Sequence, residues 1–141
     1  MKKNGLHISA DGDKFWYLNG EFHREDGPAV ELASGSKEWY LNGELHREDG
    51  PARELASGFK EWWIHGERHR KDGPAIEYAD KYKQWYLNGE KYTEEQWKVK
   101  IAKLRLKKDY MDDRDIQLWD DLGLFEGRIL DYRSFKNMKQ S

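Results

Sequence analysis

The fold is decided by a block of 23 residues, Trp16–Glu38 (WYLNGEFHREDGPAVELASGSKE), which is repeated along the chain. A second copy covers Trp39–Glu61 (WYLNGELHREDGPARELASGFKE), and a third covers Trp62–Gln84 (WWIHGERHRKDGPAIEYADKYKQ). A truncated fourth copy, WYLNGEKY, begins at Trp85. A fixed period of this length predicts a stacked array, in which each repeat buries its apolar surface against its neighbours.

Each repeat predicts two short strands. The first is rich in aromatic residues and ends in Asn-Gly or His-Gly, a strong turn signal because Asn and Gly tolerate positive φ. The second follows Asp-Gly-Pro, since a proline cannot donate a ladder hydrogen bond and belongs at a strand start. A half-repeat at 7–12 (HISADG) matches 30–35 (VELASG). We therefore expect about eight strands in an antiparallel meander.

The alternation of side chains along a strand predicts two different faces. Each tryptophan at the start of a repeat shares its face with the Leu or Ile two residues later, and we predict that this stripe is the core. The residue after each of these tryptophans points to the other, wetter face. The two stripes are Trp16, Trp39, Trp62 and Trp85, and Tyr17, Tyr40, Trp63 and Tyr86.

The phrase WYLNG-x-x-HR-x-DGPA and its 23-residue period are similar to MORN-type repeats. The similarity is greatest to the divergent variant of bacterial and large-phage proteins, and it extends over 5–92. In the ordinary MORN pattern a glycine follows the histidine, whereas Arg24, Arg47 and Arg70 occupy that position here. The resemblance implies an elongated β-hairpin array that serves as a scaffold or interaction surface, and it implies no catalytic residue.

The C-terminal part has a different chemistry, and we place a domain boundary between residues 92 and 93. Thr93 and Gln96 form a capping-box pattern, which predicts a helix over about 94–108. Asp113 is the predicted N-cap of a second helix, which would end near Gly123. Apolar residues over 124–135 would complete a small lobe. The overall prediction is a mainly β array, 1–92, with a mainly α-helical lobe, 93–141.

Composition excludes several classes of protein. Aromatic residues make up 14% of the chain and argue against disorder, although charged residues make up 37%. The formal net charge of −2 provides no basic field for nucleic acid or membranes. The absence of cysteine excludes disulfides and a thiol nucleophile. No apolar run approaches the roughly 20 residues that span a bilayer. We expect a cytoplasmic protein without a cofactor.

Three His-Arg-x-Asp segments invite a catalytic or metal-binding interpretation. Equivalent residues recur about every 9.5 Å, two strands apart, whereas zinc binds nitrogen ligands at about 2.1 Å. No serine or threonine stands beside each His to act as a nucleophile. We therefore predict that these residues, like the four repeat tryptophans, are structural and that the protein is not an enzyme. The polar members are His23, His46, His69, Asp26, Asp49 and Asp72.

Residues that differ between repeats are the better candidates for recognition. The variable positions are Phe22/Leu45/Arg68, Val30/Arg53/Ile76 and Ser36/Phe59/Tyr82. The non-repeating C-terminal lobe is the leading contact region. The candidate partner-binding residues are Asp112, Asp113, Asp115, Trp119, Asp120, Asp121, Phe125, Phe59 and Tyr82.

The expected function is non-enzymatic protein binding. The resemblance implies a concrete form of it: a small phage-type protein that binds and inhibits a bacterial host defence protein in the host cytoplasm. Two alternatives stay open: a nucleic-acid binder that uses a basic stretch, and an acidic surface that mimics nucleic acid. A structural interpretation, in which the acidic and basic stretches neutralise each other, is equally open. The basic stretch comprises Lys98, Lys100, Lys103, Arg105, Lys107 and Lys108.

Overall fold

The computed structural model describes residues 1–109 and 112–122. The chain divides between Lys91 and Tyr92 into two compact units. The first unit is an antiparallel β-meander, and two helices follow in the second, so the predicted mainly β fold class is confirmed. Neither of these helices combines the length and the apolar character needed to cross a bilayer.

The strands are short, and most of them join one antiparallel sheet in chain order. This sheet has the order β1-β2-β4-β5-β8-β9-β12-β13-β14, and β3 pairs with β2 beside it. Two further hairpins, β6-β7 and β10-β11, stand as separate ladders. The strands are β1 Gly5–Ile8, β2 Lys14–Leu18, β3 Glu21–Phe22, β4 Val30–Glu31, β5 Lys37–Glu38, β6 Tyr40–Leu41, β7 Glu44–Leu45, β8 Arg53–Glu54, β9 Lys60–Glu61, β10 Trp63–Ile64, β11 Glu67–Arg68, β12 Ile76–Glu77, β13 Lys83–Leu87 and β14 Glu90–Tyr92.

The prediction of two strands per repeat is wrong, because the residues after each Asn-Gly or His-Gly turn form a third strand. Tyr40 pairs with Leu45 across this turn, where Asn42 has a φ of 49°. The aromatic strand is also interrupted at Trp39. The Trp39 N–H donates to the Ala52 carbonyl, and the Trp39 carbonyl accepts from the His46 N–H. Trp39 is therefore the residue at which the chain leaves the main sheet and enters the β6-β7 hairpin.

The register of the sheet places opposite charges next to each other on consecutive strands. Lys37, for example, lies opposite Glu31 on one side and Glu54 on the other. Cross-strand pairs of opposite charge stabilise a sheet, and a slip of one residue would destroy every pair. The row of alternating charges is Lys14, Glu31, Lys37, Glu54, Lys60, Glu77 and Lys83.

The prediction that the Trp/Leu stripe forms the core is correct only at Leu87, which is buried. The four repeat tryptophans are only half-buried, and Leu18 is exposed. Most of the other buried apolar positions of this unit lie at the start of the second predicted strand, where the small alanines are fully enclosed. Each of the first three tryptophans packs beneath an arginine and not in an apolar interior, so part of the indole stays in contact with water. The most buried apolar residues of this unit are Ala29, Ala52, Ala75, Val30, Ile76 and Leu87.

The second unit contains α1, Glu94–Asp109, and α2, Asp113–Asp121. The predicted capping box of α1 is confirmed: the Gln96 N–H donates to Thr93 Oγ1, and the Thr93 N–H donates to Gln96 Oε1. Leu106 of α1 is buried, and Val99, Ile116 and Trp119 pack against it. Gly123 and the apolar residues over 124–135 lie outside the described residues.

The predicted N-cap of α2 is wrong by one residue. Asp112, and not Asp113, caps the helix, because its carboxylate accepts the Asp115 N–H at 2.9 Å. Asp115 accepts in return from the Asp112 N–H. A capping box needs an acceptor at the third helical position, and only Asp112 has one at the right distance along the chain.

Candidate functional site

In each complete repeat, one arginine lies over the repeat tryptophan and donates hydrogen bonds to the Asp-Gly-Pro segment. We call this arrangement the arginine clasp. The Arg47 guanidinium lies 3.8 Å from the centre of the Trp39 ring. Its Nε donates to Asp49 at 3.1 Å, and its Nη1 donates to the Pro51 carbonyl at 3.1 Å and to Glu54 at 3.5 Å. Cation–π contact and charge-assisted hydrogen bonds thus act on one side chain. The equivalent clasps are made by Arg24 on Trp16 and by Arg70 on Trp62.

The clasp explains the glycine and the acid of the Asp-Gly-Pro-Ala segment. A Cβ added at Gly50 would lie 2.9 Å from Cζ of Arg47, so any larger residue would displace the guanidinium. In the first repeat, the hydrogen bond from Arg24 lowers the pKa of Asp26. The Arg24 guanidinium therefore favours the charged form of Asp26.

The histidine of each repeat joins that repeat to the next one. His46 Nδ1 accepts the backbone N–H of His65, 19 residues later, at 2.9 Å. His46 is buried, and its Nε2 lies 3.6 Å from Glu48. His23 accepts in the same way from Asn42, and His69 accepts from Asn88. Burial is the main cause that lowers the pKa of His69, with Lys71 adding to it.

The described part of the chain holds no group of three His, Asp or Glu side chains that could bind a metal ion. The three repeat histidines each use Nδ1 as an acceptor for a backbone N–H. Their positions fit the structural role that their spacing indicated.

On the face opposite the repeat tryptophans, the residues differ from repeat to repeat. Phe22 lies between Tyr17 and Tyr40, with ring centres 5.1 and 5.2 Å away. Arg68 occupies the equivalent position two repeats later and lies 5.1 Å from the ring centre of Trp63 and 5.4 Å from that of Tyr86. The face therefore begins as an aromatic row and becomes charged.

A buried carboxylate organises the charged end of this face. Glu61 is only 2% exposed and accepts from Arg53 at 2.9 Å, from Arg68 at 3.2 Å and from the indole N–H of Trp63 at 2.8 Å. Glu38, one repeat earlier, accepts from the Tyr40 hydroxyl at 2.7 Å. Burial, with this hydrogen bond, raises the pKa of Tyr40 strongly, so its phenol stays protonated.

Besides the variable face, the repeats also differ at one position in the turns that join the strands at one end of the sheet. This position holds Asp13, Ser36 and Phe59 in successive turns. Asp13 and Ser36 each use a side-chain oxygen to accept a backbone N–H from the next turn, at 2.7 and 2.9 Å. Phe59 takes this position in the third turn and cannot accept a hydrogen bond. Its ring instead contacts Tyr78 at 5.0 Å, and Tyr78 contacts Tyr82 at 5.5 Å.

We call Phe59, Tyr78 and Tyr82 the turn-edge patch. Tyr82 is 57% exposed and Tyr78 is 39% exposed. Phe59 and Tyr82 were predicted to be contact residues, whereas Tyr78 was not. The signal was present, because Tyr78 stands where the two earlier repeats have Leu32 and Leu55.

Most of the predicted contact residues of the second unit make contacts within it. Lys107 pairs with Asp113 at 2.7 Å, and Lys103 pairs with Asp120 at 2.6 Å. Asp121 accepts from Gln117. Asp112 and Asp115 form the capping box, and Trp119 packs against Leu106. Phe125 lies outside the described residues.

The basic stretch is partly neutralised in the same way. Besides the two lysines paired with α2, Lys98 lies 3.4 Å from Glu94, and Lys100 lies 5.8 Å from the ring centre of Tyr92. Arg105 and Lys108 are exposed. Two of the six cations thus pair with the acidic stretch, as the structural interpretation of these charges expects.

Two grooves lie between successive clasps on the tryptophan face. Groove I, of about 690 Å³, lies between the first and second repeats, and groove II, of about 670 Å³, lies between the second and third. Trp39 and Leu41 line groove I, while Trp62 and Ile64 line groove II.

Comparison with known proteins gives no assignment. No protein-family model matches the chain, and neither a curated protein nor a solved structure has significant similarity to it.

Proposed function

We propose that this chain is a non-enzymatic protein-binding module that uses the turn-edge patch as a contact surface. The observation that carries the proposal is the replacement of a hydrogen-bonding residue by Phe59, next to two exposed tyrosines. The repeat array provides a rigid support for this patch.

The replacement has a cost in stability within the array. A typical intramolecular hydrogen bond contributes about 1 kcal/mol, and the third turn lacks the bond from the side chain that Ser36 makes in the second. A residue that only maintained the array would retain this bond. Its loss in favour of an aromatic cluster fits selection for contact with a partner, since tyrosine and phenylalanine are enriched in protein interfaces.

The resemblance of the repeats to the MORN variant of bacterial and large-phage proteins supports a concrete form of this proposal. In that form the chain is a small phage-type protein that binds and inhibits a bacterial host defence protein. The pairing of Lys103 and Lys107 with α2 leaves fewer cations for phosphate contact, so we favour protein binding over nucleic-acid binding.

The double substitution Phe59→Ser and Tyr82→Ser tests the proposal. It restores the residue type of Ser36, so the array should melt at the same temperature or slightly higher. Capture of proteins from bacterial lysate, quantified by mass spectrometry, should lose the protein that the unaltered chain enriches.

A matched control removes exposed apolar surface elsewhere. Leu6→Ser with Ile8→Ser alters β1, where both side chains are exposed, and should leave capture unchanged. Equal capture by the turn-edge variant and the unaltered chain would contradict the proposal. Enrichment of no protein by the unaltered chain would contradict it as well.

A further inference from the structure

Grooves I and II are copies of one site, displaced by one repeat. Each has an indole and an aliphatic side chain in its wall, and a clasp on either side. Their volumes differ little because the same residues recur at the same positions. A single ligand that enters both grooves must therefore present similar groups at the period of the array.

The period of the array discriminates between peptide conformations. Corresponding residues are two strands apart, which is about 9.5 Å. A polyproline II chain has three residues per turn and rises about 3.1 Å per residue, so residues i and i+3 point the same way about 9.3 Å apart. A β-strand covers a similar distance in three residues but turns residue i+3 to the opposite face. An α-helix needs about six residues, which is not a whole number of turns.

The charges on the rims distinguish the two grooves. Glu25 and Glu48 border groove I, and both are exposed. Their contacts with His23 and His46 measure 3.7 and 3.6 Å, which is longer than a hydrogen bond. Arg24 and Arg47, in contrast, are each held by two carboxylates of their own repeat. Groove I therefore attracts a cation.

Groove II has a different rim, because Glu48 borders it on one side and Lys71 of the third repeat takes the position of the second glutamate. A cationic ligand group would meet one exposed glutamate and one exposed lysine there, in place of the two glutamates of groove I. An uncharged ring, such as that of proline, can pack against the Trp62 and Ile64 walls without electrostatic cost. Aromatic-lined grooves are a recurrent means of binding polyproline II peptides.

We propose that grooves I and II bind an extended peptide in the polyproline II conformation, with a basic residue in groove I and a proline three residues away in groove II. This surface shares no residue with the turn-edge patch, so the inference stands independently of the proposed function. A titration with synthetic peptide tests the grooves, and capture from lysate tests the patch.

The experiment uses three fluorescein-labelled peptides and the full chain, with fluorescence anisotropy as the readout. The first peptide has one arginine followed by six prolines. The second has glutamate in place of the arginine, and the third has arginine followed by alternating glycine and serine. The first should bind about fivefold more tightly than the second, because one exposed charge pair is worth about 1 kcal/mol. It should also bind more tightly than the third, which keeps the arginine but must lose conformational entropy to become extended.

Two substitutions of exposed residues sharpen the test. Glu25→Lys should weaken binding of the first peptide about fivefold, as expected for the loss of one charge pair. Lys71→Glu makes the rim of groove II resemble that of groove I. This variant should gain about fivefold in affinity for a peptide with arginines three residues apart and prolines between them. The thermal melting of both variants confirms that they fold.

Several results would overturn the inference. One is equal affinity for the proline and the glycine-serine peptides, which would show that the grooves do not distinguish between peptide conformations. Another is unchanged affinity in both charge variants. A third is quenching of tryptophan fluorescence by a linear oligosaccharide when none of the peptides binds, which would assign the grooves to sugar.

Discussion

The two faces of the sheet in the first unit change along the chain in different ways. On the tryptophan face, the guanidinium lies 3.9, 3.8 and 3.8 Å from the indole centre in the three repeats. On the opposite face, the same position holds Phe22, then Leu45, then Arg68, and both Phe22 and Arg68 lie between two aromatic rings. One face is repeated almost without change, and the other is different in each repeat.

The difference shows what a stacked repeat needs from its neighbours. The arginine clasp stabilises its own repeat, and the histidine hydrogen bond connects each repeat to the next. Every complete copy therefore retains both the arginine and the histidine. A position on the opposite face needs only a side chain that fills the space between two rings. Phenylalanine, leucine and the stem of arginine all satisfy that need, and the identity of the residue is free to vary.

The largest effect should follow from Glu61→Ala on the variable face. This change leaves two arginines and an indole N–H without their shared acceptor. Removal of one partner from a buried charge network is strongly destabilising, and we expect a loss of about 3 kcal/mol in the free energy of unfolding. Urea denaturation measures the loss.

The control for this prediction is Glu38→Ala, at the same position one repeat earlier. Glu38 is more exposed and lies 3.4 Å from a single arginine, Arg53. Its loss should cost about half as much. Equal losses for the two variants would show that the charged end of the face has no special role.

The next largest effect concerns the repeated face. Arg47→Ala removes the cation–π contact and three hydrogen bonds, and we expect a loss of about 2 kcal/mol. Arg24→Ala and Arg70→Ala should give the same loss within about 0.5 kcal/mol, since their contacts are equivalent. Thermal or urea unfolding of the three variants checks this equality. A spread as wide as that among Phe22→Ala, Leu45→Ala and Arg68→Ala would remove the distinction between the faces.

A smaller effect should follow from loss of the bond between repeats. His46→Ala leaves the His65 N–H without its acceptor, and we expect a loss of about 1.5 kcal/mol. Capture of the partner protein should be unchanged once the variant is folded. A variant with an unaltered melting temperature and lost capture would assign His46 to binding instead.

The smallest effect is a dependence on pH through His69. Its pKa in the folded chain is lowered below the usual 6.5, so the unfolded chain takes up a proton first as the pH falls. The stabilisation from neutral His69 is therefore complete above pH 6.5 and is lost as the pH falls through the lowered pKa. Urea midpoints at pH 7.5, 6.5 and 5.5 measure this slope. His69→Asn should reduce the slope, and an identical slope in the variant would refute the assignment.

Local interactions explain which elements could be predicted. The Asn-Gly turns depend on the positive φ of residues such as Asn42, and the start of α1 depends on Thr93 and Gln96, which are three residues apart. Burial could not be predicted in this way. A tryptophan two residues before a leucine looks like a core residue, and nothing nearby in the sequence indicates that Arg47, eight residues later, covers Trp39.

The candidate site was predictable in part for a similar reason. Phe59 and Tyr82 differ from the repeat and could be selected by comparing copies. Tyr78 replaces one apolar residue by another, so the comparison gave it little weight until its ring was placed between the other two. The acidic residues of the second unit were selected by charge alone, and charge does not tell whether a lysine on α1 already neutralises them.

The sequence by itself determined the period and the turns, because both depend on residues close together or on simple repetition. The tertiary structure alone decided which side chains are enclosed, which charges are paired and where grooves open. Those properties depend on distances between side chains far apart in the chain. A 23-residue period brings such residues side by side without determining what each of them touches.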